Sequence, residues 1–190
     1  MNVIIVHGTN SSEESSKSKE EGPENLRHWK SWLVKKLEKK GIEVSNKIYP
    51  QDWNPKYNQW KKEFEKNNIN EDAILIGHSS GGAFLVRWLG ETKTKVKKLI
   101  LVSPGKSKKQ RRNTLDDLYG NKTYKNIQKY VKYPIILYTS NNDIPQHIKG
   151  AREYKKELPA RIINLKNKGH FTEKDMGTKE FPELLQEILK

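Results

Sequence analysis

Ala73-Ile74-Leu75-Ile76-Gly77-His78-Ser79-Ser80-Gly81, running on into Gly82-Ala83-Phe84-Leu85-Val86-Arg87-Trp88-Leu89, is the stretch that decides the fold. The first four residues read as a buried strand and the later apolar run as a helix. Between them stands G-x-S-x-G, the spacing of a nucleophile elbow, in which a serine occupies a sharp strand-to-helix turn. The spacing has a steric reason. The serine takes strained backbone angles, and glycines two positions either side let neighbouring chain pass without Cβ clashes. The turn lifts Ser79 Oγ clear of the sheet edge. The start of the helix supplies N–H groups with no intrahelical partner, which can face a developing oxyanion. A bare glycine-rich turn would fit the five letters but not the flanking strand and helix. Ser80 does not suit the role, because His78 stands where its first glycine should be.

Outward from the elbow, strand and helix signals alternate. Asn2–Val6 reads as a buried strand with His7-Gly8-Thr9-Asn10 as its turn, and residues 11–22, which carry no apolar side chain, as a mobile polar loop. Leu26, Trp29, Leu33 and Leu37 form one helix face, ended by Gly41. Ile42–Tyr49 is a second strand, stopped by Pro50. Asp52–Asn67 carries Trp53, Tyr57, Trp60 and Phe64 at helix spacing, a pattern of core rather than of a ligand cage. Lys98–Ser103, Pro134–Thr139 and Arg161–Leu165 are the fourth, fifth and sixth strands. Ala151–Leu158 and Glu180–Lys190 fit helices, and residues 104–133 form a basic insertion near the rim of the site. Such alternation specifies an α/β fold, a mainly parallel sheet with helices on both faces. With right-handed crossovers the expected strand order is 2-1-3-4-5-6. That order reverses beside strand 1, so a ligand crevice opens at the carboxyl ends of strands 1 and 3. The loops entering it are His7–Asn10 and the Ser79 elbow, which makes His7, Gly8 and His78 candidate substrate contacts.

Composition narrows the function. The 190 residues are read as a single domain spanning 1–190. The absence of cysteine excludes disulfides, thiol nucleophiles and thiolate metal sites. No apolar run is long enough for a membrane span or signal peptide, so a cytoplasmic protein is expected. The net charge of +14 and the run from Lys93 to Arg112 (Lys93, Lys95, Lys97, Lys98, Lys106, Lys108, Lys109, Arg111, Arg112) raise a nucleic-acid reading. No nucleic-acid motif accompanies the charge, and we read the run as a solvated face.

A serine hydroxyl needs a base to take its proton and a third group to orient that base. On a sheet with such an elbow the chain order is Ser, acid, His. The loop after strand 5, Ser140-Asn141-Asn142-Asp143-Ile144-Pro145, holds one acid, and the loop after strand 6, Lys166-Asn167-Lys168-Gly169-His170-Phe171, holds one histidine. Ser79, Asp143 and His170 are therefore the expected catalytic set. His147 is a rival base, but its place just after Asp143 makes it less able to reach the elbow. Asp116 and Asp117 sit in the insertion, and Asp175 follows the histidine.

With these residues in place the chain resembles the retinoblastoma-binding protein 9 family of small serine hydrolases, a compact branch of the α/β-hydrolase superfamily. The resemblance rests on Gly77–Gly81, Ser140–Pro145, Gly169-His170-Phe171 and, more weakly, Trp29–Leu33. It implies nucleophile Ser79, acid Asp143 and base His170 on a compact α/β-hydrolase fold without a large cap domain. It also brings in a possible protein partner, which the family's name records. The expected reaction is cleavage of a small-molecule acyl ester or amide through an acyl-enzyme. The oxyanion would lie between the backbone N–H groups of Ser80 and Thr9. No metal or organic cofactor is needed. The competing readings are a protein- or nucleic-acid-binding module on the same fold, and an amidase or aminopeptidase.

Overall fold

All six strands run parallel in one sheet of order β2-β1-β3-β4-β5-β6, the order expected. The structure, a computed structural model, describes residues 1–10, 28–106, 115–120 and 124–190. The strands are β1 (Asn2–Val6), β2 (Glu43–Ser45), β3 (Ala73–His78), β4 (Lys98–Val102), β5 (Ile136–Ser140) and β6 (Arg161–Leu165). The helices among the described residues are α1 (Trp29–Glu38), α2 (Tyr57–Phe64), α3 (Ser80–Thr92), α4 (Asp116–Tyr119), α5 (Pro145–Glu157), α6 (Glu173–Met176) and α7 (Pro182–Leu189). A 3₁₀ turn spans Ile127–Tyr130. The loop expected at 11–22 lies outside the described residues, as do the cations at 108–112 and parts of the 104–133 insertion.

The alternation of side chains along each strand divides the core into two layers. Ile4, Val6, Leu75, Leu99, Leu101 and Leu137 face α2, α3 and α5 through Trp60, Phe64, Phe84, Leu85 and Tyr154. Val3, Ile5, Ile74, Ile76, Ile100 and Val102 face α1 and α7 through Trp29, Leu33, Leu37, Leu184 and Ile188. Burial on both faces is why the central strands read as unbroken apolar runs. The edge strands β2 and β6 hold exposed positions and are the least apolar.

The aromatic stripe of α2 belongs to the core. Tyr57, Trp60 and Phe64 are buried around Phe84, whereas Trp53 is exposed. Of the described basic run, Lys98 is buried with Nζ donating to the Glu187 carbonyl at 2.8 Å. Lys106 pairs with Glu157 across the Tyr154 ring. No described helix is long and apolar enough to cross a membrane.

Candidate active site

Ser79 sits between β3 and α3 with φ 52° and ψ −124°, a conformation that a non-glycine residue holds only when its surroundings impose it. Those surroundings are close on every side. A Cβ on Gly77 would lie 2.6 Å from Gly82 Cα, and one on Gly81 would lie 2.3 Å from the Val6 carbonyl oxygen. The strand, the turn and the helix thus meet at contacts only glycine permits. The Ser79 N–H donates to the Val102 carbonyl at 3.0 Å, and the Gly105 N–H donates to the Ser79 carbonyl at 2.9 Å. The end of β4 and the residues that follow it therefore hold the turn in place.

The loop after β1 is fixed residue by residue. The Tyr49 N–H donates to His7 Nε2 at 2.8 Å, so the proton of this imidazole is on Nδ1, which donates to the Gly8 carbonyl at 2.6 Å. His7 is fully buried, and burial lowers its pKa to about 4, against the Gly8 carbonyl contact and with the Lys30 charge. With the Gly8 carbonyl turned to His7, the planar trans peptide sends the Thr9 N–H the opposite way. It donates to Ser80 Oγ at 2.9 Å, and Ser80 Oγ donates in turn to Thr9 Oγ1 at 3.0 Å. Asn10 Nδ2 donates to Asp52 at 2.8 Å. Gly8 lies against the serine itself, since a Cβ there would be 3.0 Å from Ser79 Cβ and 3.5 Å from Ser79 Oγ.

Asp143 and His170 come together from separate loops. His170 Nδ1 donates to Asp143 Oδ1 at 3.1 Å and also lies 2.9 Å from Ser103 Oγ. The Ser103 hydroxyl donates to Asp143 Oδ2, and the Ile144 N–H donates to Oδ1 at 2.7 Å. Burial of Asp143 would raise its pKa, but the His170 hydrogen bond and charge, with the Ser103 hydroxyl, hold the carboxyl below its ordinary value. Among the described residues the hydrogen bonds of the His170 ring run through Nδ1 to Asp143 and Ser103, and none goes to Ser79.

A polar zipper sets the loop that carries His170. Asn141 Oδ1, Ser140 Oγ and Asn142 Oδ1 accept from the N–H groups of Asn167, Lys168 and Gly169 at 2.8, 2.9 and 2.8 Å. Gly169 has φ +48°, and a Cβ there would meet Asp175 Cβ at 2.5 Å. Asp175 Oδ2 accepts the His170 N–H at 2.9 Å, which makes Asp175 a support for the histidine. His78 Nε2 donates to the His170 carbonyl at 2.9 Å, a bond that crosses from the serine turn to the histidine loop. His78 is buried, and burial, then the Lys30 and His170 charges, holds its pKa well below the ordinary imidazole value. His7 and His78 thus face protein partners rather than open solvent.

Asp117 is committed elsewhere, with Oδ2 accepting the Tyr57 N–H at the start of α2 at 2.7 Å. His147, the rival base, packs its ring 4.1 Å from that of His170. Pro145 starts α5 two residues after Asp143, which sets His147 in the first helical turn beside His170. Ser103, at φ 42°, is the participant that sequence reasoning passed over. It reads as the last residue of a strand, and only the sheet register brings it beside two loops.

A family model described as serine hydrolase matches residues 3–189. No curated protein matches the chain. Among solved structures, the ydeN gene product of B. subtilis is similar with a TM-score of 0.80 and 21% identity, over 99% of this chain and 96% of that one. Carboxylesterase CesB (YbfK) of Bacillus subtilis aligns with a TM-score of 0.59 and 16% identity, over 99% and 82%. The monoacylglycerol lipase of Paleococcus ferrophilus aligns at 0.58 and 16%, over 98% and 93%. At these identities the likenesses establish the α/β-hydrolase fold.

Proposed function

The chain belongs to the serine hydrolase family, and we propose that it cleaves small acyl esters or amides through a Ser79–His170–Asp143 relay. The observation that carries this reading is the Asp143–His170 hydrogen bond, braced by Ser103 and tied to the serine turn through His78. Nδ1 of His170 is engaged, so Nε2 is the nitrogen that takes the proton of Ser79 Oγ. Catalytic hydrogen bonds of this kind commonly tighten only when substrate is bound.

In the first half-reaction Oγ bonds to the acyl carbon as its proton passes to His170 Nε2, and Asp143 stabilises the imidazolium. The carbonyl oxygen becomes an oxyanion facing the first N–H of α3, that of Ser80. Thr9 supplies the second donor. The backbone N–H expected in this role donates to Ser80 Oγ instead, and the hydroxyl, which accepts from Ser80, keeps its own proton to give. Gly8 leaves the room for the acyl group to approach. His170 then protonates the departing alcohol or amine. Water, deprotonated by His170, attacks the acyl-enzyme, releases the acid and restores Ser79.

A carboxylesterase and a lipase among the fold neighbours make short acyl esters the first substrates to try. The motifs of the resemblance favour the retinoblastoma-binding protein 9-like branch within the family. The test is ester turnover by the wild type, Ser79→Ala and His170→Ala. Each substitution should lower kcat by about four to six powers of ten. A loss of less than about tenfold in either would overturn the relay.

A further inference from the structure

We propose that Asp143, His147 and His170 form a binding site for a divalent transition-metal ion of the zinc class, and that filling it arrests the enzyme. One potential ligand atom from each of the three lies within 4.8 Å of the others. Nothing in the relay calls for His147, yet its ring stands 4.1 Å from that of His170, tilted by 54°. Two ligands at about 2.0–2.1 Å from one zinc ion stand at most about 4.2 Å apart, and about 3.4 Å in a tetrahedron. The set must therefore close by about 1 Å. His147 can make that move, because it is only partly buried and sits in the first turn of α5. Asp143, whose side chain is almost wholly buried, brings the negative charge to a fixed point.

Two imidazoles and one carboxylate, with a fourth position left for water, are the donor set of an open zinc site. The nitrogen donors favour Zn²⁺ and Cu²⁺ over Mg²⁺ and Ca²⁺, which take more ligands and prefer oxygen. Either nitrogen of His170 leads to the same end. Coordination through Nδ1 expels its proton to solvent and breaks the bond to Asp143. Coordination through Nε2 occupies the lone pair that must receive the Ser79 proton. The arrest rests on the hydrolase reading above; the binding does not.

The experiment titrates ZnCl₂ into the full chain by calorimetry and follows ester turnover in parallel, with wild type, His147→Ala, His147→Asn and Ser79→Ala. Expected is one Zn²⁺ per chain in the wild type, with turnover lost on binding and restored by EDTA, and no effect of Mg²⁺ at the same concentration. Both His147 variants should bind Zn²⁺ at least tenfold more weakly and resist inhibition, while their metal-free turnover stays within about threefold of wild type. Ser79→Ala, which lacks the nucleophile, should bind Zn²⁺ as the wild type does. That result, obtained alongside a wild type with no turnover at all, would sink the hydrolase reading and leave the metal site standing. Equal Zn²⁺ affinity in wild type and both His147 variants, or no binding by the wild type, overturns the site.

Discussion

Ser103 shows how a side chain without a motif can govern one that has a motif. Its hydroxyl donates to the buried Asp143 carboxylate and lies 2.9 Å from His170 Nδ1. Removing a partner from a buried carboxylate costs about 1–3 kcal/mol. Ser103→Ala should therefore lower the melting temperature by several degrees and lower kcat about tenfold, with KM within twofold. Differential scanning calorimetry and steady-state kinetics on one ester check both; an unchanged kcat would remove Ser103 from the support of the relay. The meeting of Asp143 with His170 was legible because each is the one residue of its type on a loop that the strand pattern places at the rim, and the turn at Ser79 because the glycine spacing singles it out from Ser80. Ser103 was not, because a serine at a strand end carries no local signal. The contact of His147 with His170 was not legible either, because the turn at Pro145 is a matter of local geometry that sequence order does not convey. Asn141 and Asn142 escaped notice for the same reason, since a pair of asparagines reads as a turn until the adjacent loop is seen to donate to both.

At the scale of elements, the turn between β3 and α3 works only because α3 starts in contact with the end of β1. A methyl group on Gly81 would stand 2.3 Å from the Val6 carbonyl oxygen and 2.4 Å from that of His7. Both atoms are backbone, so the clash cannot be relieved by a rotamer change. Gly81→Ala should cost about 3 kcal/mol and displace the loop that holds Thr9, lowering kcat at least tenfold in the protein that still folds. Urea unfolding and ester kinetics read the two effects, and wild-type values for both would refute the packing account. The strands and the longer helices were legible from periodicity, but their ends were less so. β2 stops at Ser45 rather than Tyr49, because the residues beyond pair with no strand. α2 begins at Tyr57 rather than Asp52, after Pro55 and with its first N–H bound by Asp117. α5 begins at Pro145 rather than Ala151, since proline at the first helical position is pre-set for a helix that the apolar spacing alone did not reveal.

For the molecule as a whole, the sheet order followed from continuous apolar strands and the handedness of crossovers, whereas the hydrogen bonds between the loops at the sheet's rim were not to be had from pattern. The same fold dictates how the protein responds to acid. His7 and His78 are buried and neutral, with His7 at about 4 against an ordinary 6.5. The unfolded chain takes up protons at these residues as pH falls through 6.5, and the folded chain does so only at lower pH. Stability is therefore full above pH 6.5 and lost on acidification toward 4, by about 3 kcal/mol for His7 alone. Asp143, with its pKa lowered in the folded state, loses its contribution only below its ordinary value of 3.8. At 0.5 M NaCl, which screens repulsion among the excess positive charges, the melting temperature should drop by about 6–12 °C between pH 7 and pH 4.5. A flat profile would mean that neither imidazole is held neutral by the fold. The most direct test of the central claim is intact-mass and peptide mapping after treatment with a fluorophosphonate. One adduct per chain on Ser79, absent from Ser79→Ala and strongly slowed in His170→Ala, is the predicted result; an unlabelled wild type, or an adduct on another serine, would contradict it.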